Sequence, residues 1–415
     1  MNSLFLKGSG PLVVGLGISC TIGYGTILYS FSLLSLEIEK AFQWSTQFIF
    51  GVYSVGILLT GLAAAKIGRY LDRYGARVPM SIGSFLVALS LMGQATMVSQ
   101  IEFVIFILLM EVVSILVLYE SAFVALTQAT GQNARKPISQ ITLIAGFAST
   151  IFWPVIAELL NHTDWRTVYF LMALLHLLCC LPIHWFVLNP DSWKIESTEP
   201  TTPSKHLAGT IHDPHTELLI AFAFGLAAFC IVGLQIHIFG LFYQLHISEK
   251  LAILAGSLIG PFQVFSRISD MMLSRFLKAS DLGLISVGMM TIGVLFAISA
   301  GYLSPYAVIL FAIFFGMGQG LTNIVRGALP LQYFGESNYG TITGRMNRIR
   351  LIMTAIAPVS FAWIMDKIGA IEVMILICIL CLLSITCLKL ADKRFHQLMA
   401  SSLADKRKPD SCRRA

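Results

Sequence analysis

This sequence is poor in charge. Only 12% of its 415 residues are Asp, Glu, Lys or Arg, against 56% hydrophobic, and the mean hydropathy is +0.78. That balance excludes an ordinary water-soluble domain, in which about a quarter of the residues are charged. No G-x-x-x-x-G-K-[ST] loop occurs, which argues against work driven by nucleotide hydrolysis. No disulfide framework is evident either. Cys20, Cys179, Cys180, Cys230, Cys378, Cys381 and Cys387 lie in apolar runs, and Cys412 lies near the end. Cys378 and Cys381 share one face of an apolar helix, a spacing that reads as packing rather than metal or redox chemistry. The first apolar run begins near Pro11 without a small-residue cleavage site, so it reads as a retained span and not a removed leader.

What is present is a series of long apolar runs. Twelve are each long enough to cross roughly 30 Å of hydrocarbon. They fall near 11–34, 47–67, 79–98, 101–128, 138–160, 166–188, 217–241, 251–274, 282–303, 305–329, 350–368 and 370–390. The expected fold is an all-α membrane protein of two six-helix bundles, 1–190 and 217–392. A polar, proline-bearing linker over 191–216 joins them, and a basic tail covers 393–415. The net charge of +6 would suit nucleic acid or a membrane, and its distribution selects the membrane. With both termini inside, the inner segments hold 21 of the 28 Lys and Arg. The outer loops hold Lys40, Arg166, Lys250 and Lys367, so both termini are expected to be cytoplasmic. The membrane expected is the bacterial inner membrane.

The two halves echo one another. Gly68-Arg-Tyr-Leu-Asp72 after span 2 corresponds to Ser274-Arg-Phe-Leu-Lys278 after span 8, and Pro154 in span 5 corresponds to Pro358 in span 11 at an offset of 204. The stretch from Gly68 to Arg77 reads as a short charged turn between two spans. It carries Gly68, Asp72, Arg73, Gly75 and Arg77 in the pattern G-x-x-x-D-R-x-G-x-R. That pattern resembles the signature of the major facilitator superfamily, and with the twelve spans the resemblance covers nearly the whole chain. It implies two pseudo-symmetric six-helix bundles, alternating access and a latch formed by Gly68, Asp72, Arg73 and Arg77. A plain loop with basic residues inside explains the arginines but not the glycines and the aspartate. The region from Gly146 to Pro154 with Asp164-Trp165-Arg166, and Phe334-Gly335 through Pro358 to Gly369, looks like the monocarboxylate-porter-like members. The paired glycines of drug antiporters in span 5 are not met.

Ionisable groups inside spans are costly and each needs a reason. Arg267 in span 8 presents a planar fork suited to a carboxylate, and the resemblance implies a substrate-linked arginine in this helix. The plainer reading pairs it with Asp270, one turn away. Glu120 in span 4 is a candidate proton carrier, with Asp270 as a second; Glu120 would equally serve as a neutral acid bonded to a neighbouring helix. Glu111 lies nine residues before Glu120, half a turn out of phase, so the two face different ways. Arg326 in span 10 is near the pseudo-equivalent of Glu120, which suggests a gate or, equally, an anchor at the inner end of its span. His237, Tyr24, Tyr29 and Trp153 are candidates to line the path, each with ordinary packing as the alternative. His206, His212 and His215 match no closed metal site.

The sequence therefore predicts a non-enzymatic secondary transporter, with a proton as coupling ion and a small organic anion such as a monocarboxylate as substrate. It would contact substrate through Arg267, Tyr24, His237 and Trp153 and gate through the latch and Arg326. It would act as a monomer in a lipid bilayer, without cofactor, metal or nucleic acid. The alternative is proton-driven efflux of a drug, siderophore or other amphipathic metabolite. A receptor built on the same scaffold is a third reading, against which the latch argues.

Overall fold

The computed structural model describes residues 9–130, 135–189, 213–273, 277–334 and 339–406. Among these are twelve helices long and apolar enough to cross a membrane. In chain order they are α1 (Gly10–Phe42), α2 (Thr46–Tyr74), α3 (Arg77–Thr96), α4 (Gln100–Thr130), α5 (Pro137–His162), α6 (Trp165–Val187), α7 (Pro214–Gln244), α8 (Glu249–Leu273), α9 (Ala279–Ala300), α10 (Ala307–Phe334), α11 (Tyr339–Lys367) and α12 (Ala370–Lys406). Helices are forced on the chain because hydrocarbon offers no partner to backbone N–H and C=O groups. Their ends are set by ordinary caps. Ser99 and Glu102 form a reciprocal capping box at the start of α4. Asp164 accepts from the Thr167 N–H at 2.8 Å before α6, and the Thr167 side chain, together with that N–H, holds its carboxyl below the usual range.

Several helices outrun the apolar spans. The Gly68–Arg77 stretch is not a turn. It is helical through Tyr74, and the turn is confined to Gly75, at φ +74, and Ala76. Arginine and leucine are good helix formers, so polarity ends the span without ending the helix, and only the positive φ at Gly75 does so. Likewise α11 begins at Tyr339, well before residue 350, and α12 runs on to Lys406.

α1–α6 and α7–α12 form two bundles related by the internal repeat. In the first, Gln128 at the end of α4 accepts from the Ala76 N–H at 3.1 Å, between α2 and α3. In the second, Gln332 near the end of α10 accepts from the Ala279 N–H at 2.8 Å, between α8 and α9. Gln128 and Gln332 stand 204 residues apart, the offset of Pro154 and Pro358. Residues 190–212, which hold most of the linker with His206 and His212, lie outside the described residues, as do 274–276 of the second-half echo and 407–415 of the tail.

Twelve crossings return the chain to the face from which it started, here termed the terminal face. On that face Arg345 and Glu217 join α11 to α7 in a two-point contact at 2.8 Å each, and Arg394 joins α12 to Asp213 at 2.6 Å. Arg394 and Thr216 hold the Asp213 carboxyl far below the usual range.

Candidate functional site

The halves meet along a seam that is closed toward the opposite face. α5 and α8 approach through glycines. A methyl at Gly256 would lie 2.7 Å from the Trp153 ring, and one at Gly260 would lie 2.6 Å from the Gly146 carbonyl. Thr150 Oγ1 donates to the Ser257 carbonyl at 2.8 Å. Small residues let backbones approach closely where no hydrophobic effect drives helices together. α2 and α11 meet at Ser54, which accepts from the Val359 N–H at 3.2 Å, and at Gly61, whose Cβ position is 3.7 Å from Leu351.

Toward the terminal face the same helices part. Gly68 lies seven residues after Gly61 on the same face of α2, and no described atom comes within 4 Å of its Cβ position. On α11 the corresponding Asn347 and Arg348 are exposed. Among the described residues, no helix approaches Gly68 closely in this conformation. The latch is only partly described, since the side chains of Asp72 and Arg73 lie outside the described residues. Arg77 donates from Nε to the Trp185 carbonyl at 2.8 Å and lies 4.6 Å above the Trp185 ring, so among the described residues it clamps α3 to the end of α6 rather than pairing with an acid.

The candidate side chains line up along this seam. His237 is nearest the closed end. It donates from Nε2 to the Pro358 carbonyl at 2.8 Å and packs between Phe50, at 3.9 Å, and Phe361. Trp153 is fully buried, donating to the Tyr29 carbonyl at 3.0 Å and Ser32 Oγ at 2.9 Å while packing on Phe239 of the other half. In this conformation both residues are enclosed in the seam rather than on an open path.

Arg267 comes next and bridges the halves. It is buried, donates to the Thr142 carbonyl of α5 at 2.7 Å, and lies within reach of the Tyr119 phenol beside Tyr29. Among the described residues it forms no ion pair with Asp270, which is half-buried, so the self-neutralising pair is not what holds it.

Tyr24 packs on Tyr119 at 4.7 Å and lies within electrostatic reach of Glu120. Glu120 is exposed, yet it is also close to the fully buried Cys20 and to Arg350 of the other half. A residue near both a buried α1 and the second bundle faces the gap between the bundles, so its exposure is to that gap. Arg350 is partly accessible and lies within electrostatic reach of Arg326, Glu120 and Tyr24. The gap thus holds three guanidinium groups, from α8, α10 and α11, with the carboxyl of Glu120 and three tyrosines of the first half. Such a set can fix an anion through two-point hydrogen bonds and exchange a proton at the acid.

Arg350 and Tyr119 were not singled out by the sequence. Arg350 stands at the edge of the apolar span and reads as a loop charge. The signal for it is the helix-compatible run from Tyr339, which carries the residue three turns into α11. His176 and His184 are buried too, the first bonded to Thr26 at 2.8 Å and the second to Ser84 at 2.7 Å, both within the first bundle. Among the described residues no cluster of three His, Cys, Asp or Glu side chains is arranged to hold a metal, and His215 is exposed at the start of α7.

The sequence model described as Major Facilitator Superfamily matches residues 15–358, most of the chain. A comparison with curated proteins finds no match. The family match, the twelve apolar helices in two repeated bundles and the one-sided gap between them converge: this chain belongs to the Major Facilitator Superfamily and is an integral membrane transporter.

Proposed function

We propose that the protein is a proton-coupled secondary transporter of a small organic anion, working by alternating access with its terminal face in the cytoplasm. The observation that carries this reading is the charge of the gap, where among the described residues Arg350 lies within electrostatic reach of both Arg326 and the exposed carboxylate of Glu120, and Arg267 adds a third guanidinium beside Tyr119. Guanidinium groups in a partly dehydrated path favour an anionic cargo and disfavour a cationic one. A carboxylate substrate would compete with the Thr142 carbonyl for the Arg267 fork, and breaking that bond would loosen the α5–α8 seam. Glu120 would exchange the proton, with Asp270 one turn from Arg267 as a second acceptor. The wide terminal end and sealed opposite end support an inward-facing state of the cycle, with the halves rocking about the seam. The positive-inside bias of the loops supports the orientation.

The test is purified protein in liposomes under an imposed pH gradient, screened against small carboxylates and cationic dyes. Carboxylate movement that follows the gradient, and that drops at least tenfold in Arg267→Lys, is expected. Near-normal uptake by that variant would remove Arg267 from the substrate role. Dye efflux that needs Glu120 and tolerates loss of Arg267 would favour the exporter of amphipathic compounds instead.

A further inference from the structure

A second acid, outside the gap, stands unused by this mechanism. α4 is interrupted over residues 115–118, so its first segment ends at Ser114 and a second begins at Tyr119. Glu120 follows the break and faces the gap. Glu111 precedes it and points into the first bundle, where only 5% of it is accessible.

Among the described residues, no cation faces Glu111. From α2, the Tyr53 phenol lies within reach of its carboxyl. From α6, Tyr169 lies within electrostatic reach of Tyr53 and its buried hydroxyl has no partner. From α3, Gln94 donates to the Met110 sulfur at 3.3 Å, leaving its own buried oxygen without a partner. Arg166, at the start of α6, is committed to the Ala95 and Met97 carbonyls at 2.9 and 2.8 Å. Glu111 Oε1 has no partner at all. An ionised carboxylate held this way is uncompensated, at a cost of several kcal/mol. A neutral acid needs only one donor and one acceptor, and a phenol supplies either.

The acid is also mechanically placed. The α2 backbone rests on it, since a methyl at Gly56 would lie 2.6 Å from Glu111 Cγ. Thr60 Oγ1 donates to the Glu111 carbonyl at 2.7 Å. Ser54 and Gly61, on another face of that stretch of α2, meet Val359 and Leu351 of α11, both apolar. One stretch of α2 is thus wedged between the acid and the seam that closes the opposite end.

We infer that Glu111, with Tyr53 and Tyr169, is a proton-binding site inside the first bundle whose occupancy is tied to closure of the α2–α11 seam. While the seam is closed, α2 seals the carboxyl as a neutral acid. When α11 withdraws, α2 is released, Tyr53 and Gly56 move off the acid, and Glu111 Oε1–H gives its proton to water. The site rests on the alternating-access reading, but its readout needs no knowledge of the cargo.

The test is infrared spectroscopy of the full-length protein in lipid, reading the C=O stretch of neutral carboxyls at mildly alkaline pH. Glu111→Gln should remove one band, and Glu120→Gln should leave that band in place. Tyr53→Phe, which keeps the ring stacked on Phe31, should shift the band without removing it and guards against misfolding of the first variant. Gly61→Trp, which wedges the α2–α11 seam at Leu351, should make the band disappear at a lower pH than in the unmodified protein. A spectrum unchanged by Glu111→Gln overturns the site. A band whose pH dependence is the same with and without the wedge overturns its link to the seam. Carboxylate transport without the band would defeat this inference alone, and the band without carboxylate transport would defeat the proposed cargo alone.

Discussion

The two ends of the seam between the halves are built on opposite principles. At the closed end, glycines and aromatic rings interlock and the polar groups of the large side chains are bonded: Trp153 to Tyr29 and Ser32, His237 to Pro358, with Thr150 bonded to Ser257. At the open end, the side chains are polar or charged and at least partly accessible: Glu120, Arg326, Arg350, Asn347 and Arg348. The difference teaches where the free energy of the conformational change is stored. Closing the apolar end depends on shape, which one bulky residue can spoil. Closing the charged end depends on matching charges, which a cargo or a proton can supply. Arg267 sits between them and belongs to both, buried like the first and cationic like the second.

Breaking the shape side should have the largest effect. Gly256→Leu would drive its side chain into the Trp153 ring, where a bare methyl already lies at 2.7 Å. Overpacking of this kind costs about 1–3 kcal/mol, so the closed seam should lose roughly 5- to 150-fold in population. Liposome uptake should fall accordingly. Ser54→Cys in the same background should become reactive to a membrane-impermeant maleimide from the opposite face, and unchanged labelling would argue against the seam as drawn.

On the charge side, Arg267→Lys loses the planar fork while retaining the charge. A hydrogen bond from a charged group is worth about 1.5–3 kcal/mol, so uptake should fall by roughly 10- to 100-fold while the thermal transition moves little. Tyr119→Phe, which removes only the neutral partner of Arg267, should cost about tenfold or less in the same assay.

A comparison of the two bundles can be sharpened through the repeated glutamines. Gln128→Ala and Gln332→Ala each unpair a backbone N–H in the turn they serve. Each should destabilise by about 1–2 kcal/mol in thermal unfolding, and by similar amounts if the repeat is structural. A large effect at one and none at the other would mean that only one turn is strained.

The smallest effect is expected at the terminal face. Asp213 is held below its usual range by Arg394 and Thr216, so its contribution is present above the unfolded-state value near 3.9 and is lost only as pH falls through the depressed folded value. Asp213→Asn should lower the melting temperature slightly at neutral pH, by the equivalent of about 1 kcal/mol or less because Arg394 is largely exposed. The gap between variant and parent should close only in strong acid.

The spans, their number and the repeat were legible because hydrocarbon imposes one pattern on the chain. Helix ends were not, because Arg69 to Tyr74 and Arg345 to Ile349 are polar yet helix-compatible, and hydropathy sees only the polarity. The same blindness turned Arg350 into a loop residue. The break in α4 was invisible because Ile115-Leu116-Val117-Leu118 contains neither glycine nor proline, whereas the opposite facing of Glu111 and Glu120 was legible from their nine-residue spacing. Arg267 was legible as a costly intramembrane charge. Its partner was not, since a backbone carbonyl such as that of Thr142 leaves no mark in a sequence. Trp153 and His237 were legible as aromatic groups on the right helices, but only the packing of Gly256 and Phe50 reveals that this conformation encloses them.

Distances between spin labels in lipid test the central claim most directly. One pair, at Tyr74 and Asn347, spans the open end, and another, at Gln43 and Met365, spans the closed end. Lowering the pH in the presence of a panel of small carboxylates should shorten the first distance and lengthen the second together, and Arg267→Lys should abolish the reciprocal change. If both distances move in the same direction, or neither moves, the halves do not rock about the seam and the account is contradicted.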